Sequence, residues 1–109
     1  MKLIVAIVQD EDSSRLIRGL MDEGYGVTKL ATTGGFLRSG NTTLLVGVED
    51  EKFDGAMAII EKICKSRKQI ATSPSPMSGS TGVYVPYPIE VVVGGATIFV
   101  LNVDQFKKI

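Results

Sequence analysis

An α+β sandwich, with two helices laid on an antiparallel sheet, is the fold class predicted by this sequence of 109 residues. Three observations predict it. Short apolar runs recur with the two-residue period of strands, two longer segments carry apolar residues at helical spacing, and the two kinds alternate as strand, helix, strand, strand, helix, strand.

The first strand is the β-branched run Leu3 to Val8, closed by the polar cluster Gln9 to Asp12. Alternation puts Leu3, Val5 and Ile7 on one face and Ile4, Ala6 and Val8 on the other, so both faces call for burial. Asp12 or Ser13 is placed to cap the first helix. Its apolar residues are Leu16, Ile17, Leu20 and Met21, and Gly24 ends it as a C-terminal cap. A second strand is expected from about Gly26 toward Ala31 and a third from Asn41 to Glu49. Gly47 leaves a gap in the third, which reads equally as close approach by a ligand or as a bulge. The second helix carries the stripe Phe53, Ala56, Met57, Ile60, Ile63 and Cys64, with Asp50 and Glu51 at its start, where the helix dipole favours them. Cys64 on that stripe reads as a buried structural thiol.

From Lys65 to Gly82 the composition turns to serine, proline, glycine and basic residues, which predicts a long flexible loop over about 65–82, read equally as a functional segment or as a tolerated insertion. Lys65, Arg67 and Lys68 there can complement the carboxyl end of the second helix. Tyr84 to Pro88 must be extended, because each proline pushes its predecessor out of the helical region. Ile89–Val93 and Thr97–Val103 flank Gly94 and Gly95, a pattern that predicts a hairpin turn of positive φ, and Asp104–Ile109 reads as a short tail of about one helical turn.

This order describes one domain, 1–109, of the ferredoxin-like βαββαβ type with an extra C-terminal hairpin. Two helices cover one face of the sheet, yet the first, third and last strands are apolar on both. A ring of identical subunits with their sheets turned inward is the economical way to bury the second face.

Lys plus Arg and Asp plus Glu stand at 12 each, which argues against a dedicated nucleic-acid or anionic-membrane binder. One cysteine makes no internal disulfide, and no long hydrophobic segment or cleavage signal opens the chain, so a cytoplasmic setting is expected. The chain has no histidine, and its serines have no base partner that the sequence identifies. The clusters Asp10–Asp12 and Glu49–Glu51 sit at helix starts, where carboxylates are favoured for structural reasons. A binder is expected, without metal or cofactor, and not an enzyme.

The richest stretch runs from Thr28 to Gly47, where glycines, threonines, an asparagine and Phe36 lie between two strand-like runs. Gly35 to Thr42 nearly fits the phosphate-binding pattern G-x-x-x-x-G-K-[ST], but Asn41 replaces the lysine and a strand follows instead of a helix. A triphosphatase is therefore not expected. The backbone N–H groups and threonines still suit a nucleotide in another geometry, with Asn41 able to read an adenine edge through paired bonds.

Met1 to Asp10, Thr28 to Arg38 with Gly40 to Thr43, and Pro86 to Pro88 with Val93 to Thr97 resemble the cyclic di-AMP receptor family of PII-like signalling proteins across essentially the whole chain. The resemblance implies a ferredoxin-like homotrimer that binds cyclic di-AMP, a bacterial second messenger, in clefts between subunits. It also implies a short loop after strand two and a long one before strand four. The ligand residues it implies are Thr28, Gly35, Phe36, Leu37, Asn41 and Gly47, with Phe99 a weaker member. Their chemistry fits: open backbone at 35–37, apolar surface from Phe36, an amide at Asn41, room at Gly47 and a hydroxyl at Thr28. Some relatives carry arginine where this chain has Gly26, so a cation for the phosphates must come from elsewhere, with Lys29 and Arg38 nearest in sequence. The expected mechanism is ordering of the loops by ligand, which changes the surface offered to a downstream protein. The alternatives are a PII-like sensor of another nucleotide such as ATP, or a structural trimer without ligand.

Overall fold

The computed structural model of the chain describes residues 1–30, 40–75 and 85–109. Strand β1 (Lys2–Gln9) leads into helix α1 (Asp10–Asp22), strand β2 (Val27–Leu30) and strand β3 (Asn41–Val48). A single 3-10 turn, Asp50–Lys52, enters helix α2 (Phe53–Cys64), and strands β4 (Arg67–Ser75), β5 (Val85–Val93) and β6 (Ala96–Asn102) complete the chain. The main sheet has the order β2-β3-β1-β6 and is antiparallel throughout. With both helices on one face, this is the small α+β, ferredoxin-like arrangement that the pattern of elements predicts.

The core lies between the helices and one sheet face. Ile4, Ala6 and Val8 of β1 and Leu44, Val46 and Val48 of β3 meet Leu16 and Leu20 of α1 and Ala56, Ile60 and Cys64 of α2. Gly24, at φ +87°, ends α1 as expected: its N–H bonds to Met21 O at 3.0 Å and that of Tyr25 to Leu20 O at 3.0 Å, the paired bonds of a Schellman cap. The start of α1 differs from expectation. Gln9 is the residue before the helix, and Asp12 and Ser13 fall inside its first turn. Asp12 cannot serve as a cap because its carboxylate is drawn inward by arginines.

The larger corrections concern the last third. Residues 67–75, read as part of a loop, form β4 and pair with β5 from Arg67 opposite Val93 to Ser75 opposite Val85. The remaining loop positions, 76–84, lie outside the described residues. No hairpin joins β5 and β6, since β6 pairs with β1 instead. Gly94 and Gly95 do adopt positive φ, at +82° and +87°. Their N–H groups reach Gln9 Oε1 and Cys64 O, however, so they carry the chain from one sheet into the other. The tail after β6 forms no helical turn. The separate β4–β5 arm is consistent with an elongated molecule of 67 × 26 × 19 Å, whose radius of gyration of 18.7 Å exceeds the value of about 13 Å for a compact chain of this length.

Candidate functional site on the open face of the sheet

Alternation along the strands gives the main sheet a second face that neither α1 nor α2 covers. In register order across β2, β3, β1 and β6 it presents the row Thr28, Leu45, Val5, Phe99, and beside it the row Leu30, Thr43, Ile7, Thr97. Gly47, Leu3 and Leu101 form a third row on one side, and Asn41 with Gln9 ends the sheet on the other. Thr28, Asn41, Gly47 and Phe99, four of the residues named from sequence, therefore share this face. Gly35, Phe36 and Leu37 lie outside the described residues.

Shared orientation does not bring the four into one pocket. Asn41 and Gly47 are six residues apart on β3, a separation of about 20 Å, and Thr28 and Phe99 are about 14 Å apart across three strand spacings. Phe99 is 45 % exposed and Leu101 49 %, so the face carries uncovered apolar surface in the single chain. Gly47 is exposed too, and a Cβ built on it meets nothing within 4 Å. Pairing of β1 and β3 runs without interruption from Lys2 opposite Val48 to Gln9 opposite Asn41, which removes the bulge reading of Gly47. Among the described residues nothing takes up the space that its missing side chain leaves.

The Asn41 end is the most built part. The Asp10 N–H bonds to Gly40 O at 2.9 Å, and the Thr42 hydroxyl donates to the Asp10 carboxylate, fixing the entry to β3 against the start of α1. Gly94 N–H donates to Gln9 Oε1 at 2.7 Å. Beside the Gln9–Gly94 bond lies a cavity of about 250 Å³, lined by Ile7, Gln9, Asn41, Gly94, Gly95, Ala96 and Thr97. That is below the range of about 300–1,000 Å³ usual for whole small-molecule ligands, and it suits one base-sized group. Another cavity, about 390 Å³ between α2 and β6, is lined by Met57, Ile60, Cys64 and Ile98 and includes none of the ligand residues expected from sequence.

Behind this end, Asp12 is fully buried and accepts from Arg67 Nη2 at 2.9 Å and Arg15 Nη2 at 2.9 Å. The Arg67 hydrogen bond, helped by Arg15, holds its carboxyl below the usual carboxylate range against the opposing effect of burial. Arg67 thus ties β4 to α1, and it also donates to Lys65 O at 3.3 Å near the end of α2. Lys68 pairs with Glu90 across the arm at 3.2 Å. Burial pushes the Cys64 thiol up to about 11, consistent with a structural thiol. Among the described residues no group of three or more His, Cys, Asp or Glu is placed to hold a metal ion. Among them also, no helix is long and apolar enough to cross a membrane.

Sequence reasoning missed Gln9, Gly94 and Thr97 as lining residues. The signal available for Gln9 was a polar residue continuing the face of Leu3, Val5 and Ile7.

The described residues thus form a small α+β domain with a polar-edged sheet face that the helices leave open. The chain belongs to the cyclic-di-AMP receptor family, whose pattern it matches over residues 1–109. It is also similar to a solved structure described as that of a functionally unknown protein from Pediococcus pentosaceus ATCC 25745. The two share 44 % identity over 99 % of this chain and 96 % of that one, with a TM-score of 0.78.

Proposed function

We propose that the protein is a non-enzymatic, PII-like receptor that binds cyclic di-AMP between the open sheet faces of neighbouring subunits in a cytoplasmic homotrimer. The observation that carries this reading is the spread of Thr28, Asn41, Gly47 and Phe99 over one uncovered apolar face. One chain holds them too far apart for a single small pocket. A second open face laid across the first would supply the missing wall and bury Leu3, Val5, Leu45 and Leu101 together. Family membership supports the identity of the ligand. The absence of histidine and the commitment of Asp10 and Asp12 to structural bonds support binding without turnover.

Signalling follows from the place of the site. Residues 34–40 lead directly into Asn41, and Gln9 links the same end to the root of the β4–β5 arm through Gly94. Ligand fixed in the cleft would bias both segments and so the surface met by a downstream protein.

The test is calorimetric titration with cyclic di-AMP beside cyclic di-GMP, ATP and AMP, together with sedimentation to count subunits. Micromolar or tighter binding of cyclic di-AMP alone, near one ligand per subunit of a trimer, is the expected result. Binding of ATP instead would make the protein a sensor of another nucleotide. A trimer that binds nothing would leave a structural role.

A further inference from the structure

We propose that Gln9 is a further ligand-binding residue, donating its side-chain amide to a ring nitrogen of the purine held at Asn41. This rests on the nucleotide site proposed above.

Gln9 is the last residue of β1 and lies directly opposite Asn41, which places their Cβ atoms about 5 Å apart on the same face. Its amide orientation is dictated by its neighbour. Gly94 offers a backbone N–H at 2.7 Å, and a backbone N–H only donates, so the end facing it must be the carbonyl oxygen. Nε2, with two N–H donors, is then turned the other way, and among the described residues it makes no hydrogen bond. Gly94 itself is held by its position against the end of α2: a Cβ there would meet Lys65 O at 2.7 Å and Arg67 Nη1 at 2.6 Å. The donor is therefore preset before any ligand arrives, which lowers the ordering cost of using it.

The cavity beside it tells which acceptor it would meet. Ile7, Gln9, Asn41, Ala96, Thr97 and the glycine backbone bring no charge to its walls. A phosphate there would meet no cation among the described lining residues, whereas an uncharged base can exchange its hydrogen bonds with water for those of two amides. Asn41 can pair with one edge of an adenine, donor and acceptor together, and Gln9 adds a second donor for a ring nitrogen.

The experiment is calorimetry with cyclic di-AMP on the full chain carrying Gln9→Glu or Gln9→Met, with thermal midpoints recorded for each. Gln9→Glu keeps an oxygen acceptor for the Gly94 N–H, removes the donor and adds a negative charge, whose share of any loss is read from its dependence on sodium chloride. A residue that merely braces the turn would tolerate it. The expected result is at least a tenfold weaker dissociation constant for Gln9→Glu, with its thermal midpoint and the exchange protection of the Gly94 amide retained. Gln9→Met, which loses both ends of the amide, should weaken binding as much and also speed exchange at Gly94. Wild-type binding with unchanged affinity in both variants overturns the role of Gln9 and leaves the receptor reading intact. Failure of the wild type to bind overturns both.

Discussion

The two faces of the main sheet are made from similar residues and meet different surroundings. On the helix face Ile4, Ala6, Val8, Leu44, Val46 and Val48 are all at most 3 % exposed. One position along the same strands, Leu3, Val5, Ile7 and Leu45 are only half-buried, and Leu30, Phe99 and Leu101 at the flanking strands are exposed. Between Ile4 and Val8 of β1 and between Thr42 and Val48 of β3 the helix face is broken only at Thr42, whose hydroxyl is satisfied by Asp10, while Lys2, Lys29 and Asn102 stand at its margins. The open face is broken at Thr28, Asn41, Thr43, Gly47 and Thr97. Apolar surface with placed polar gaps is what a face needs if it is to be covered by another surface and still hold a ligand.

Adjacent residues of β3 test the difference most directly. Leu44→Ala should cost about 2–5 kcal/mol in urea denaturation, because it opens a cavity in the fully buried layer. Leu45→Ala should cost less at low protein concentration. Its cost should grow as concentration rises if the open face is buried between copies, since assembly adds stability by mass action. Equal and concentration-independent losses would mean that the open face stays wet, and the proposed cleft would have no walls.

The buried ion pair sharpens the comparison at its polar end. Asp12→Asn should cost about 2 kcal/mol by leaving Arg67 and Arg15 without their charged acceptor. The pH dependence has a definite sign. The carboxyl is held below its ordinary value, so its contribution is fully present above the unfolded-state value of 3.8 and is lost as pH falls through the lower, folded-state one. The stability difference between wild type and Asp12→Asn should therefore shrink as denaturation is repeated from neutral pH into strong acid. A constant difference would show that Asp12 contributes by shape and not by charge.

Much of this architecture is legible in the sequence where the physical cause is local. The stripe from Phe53 to Cys64 predicts α2, Gly24 predicts the end of α1, and alternation in β1 and β3 assigns each residue to its face. Nonlocal causes leave no such trace. Nothing in the serine- and proline-rich composition of 67–75 marks a strand, because its pairing is supplied by β5 and its anchor by Asp12, 55 positions from Arg67 in the chain. Gly94 and Gly95 show the positive φ that the sequence requires of them, but which strands they connect depends on Cys64 and Gln9. The site follows the same rule. Thr28, Asn41, Gly47 and Phe99 could be named singly, and Gln9 could be placed on their face by alternation, whereas the orientation of its amide is set by Gly94, 85 positions away in the chain.

A smaller expected effect breaks the comparison in the other direction. Gly47→Leu fills open space on the exposed side of β3, so the thermal midpoint should hold or rise while cyclic di-AMP binding weakens at least tenfold by calorimetry. Retained affinity would show that the gap at Gly47 is not used by ligand.

The mildest change adds a group instead of removing one. Gly26 stands just before β2, has no atom within 4 Å of a built Cβ, and by alternation back from Thr28 lies on the open face near Gly47. Gly26→Arg would place a guanidinium at the rim of the proposed cleft without a clash in the single chain. Charge-assisted bonds to phosphate are strong, so cyclic di-AMP binding should tighten severalfold at low salt, and the gain should shrink as sodium chloride is raised. A gain that survives high salt would point to packing by the arginine stem. No gain at any salt concentration would place the phosphates away from the β2 edge, leaving that part of the open face to the neighbouring subunit and not to the ligand.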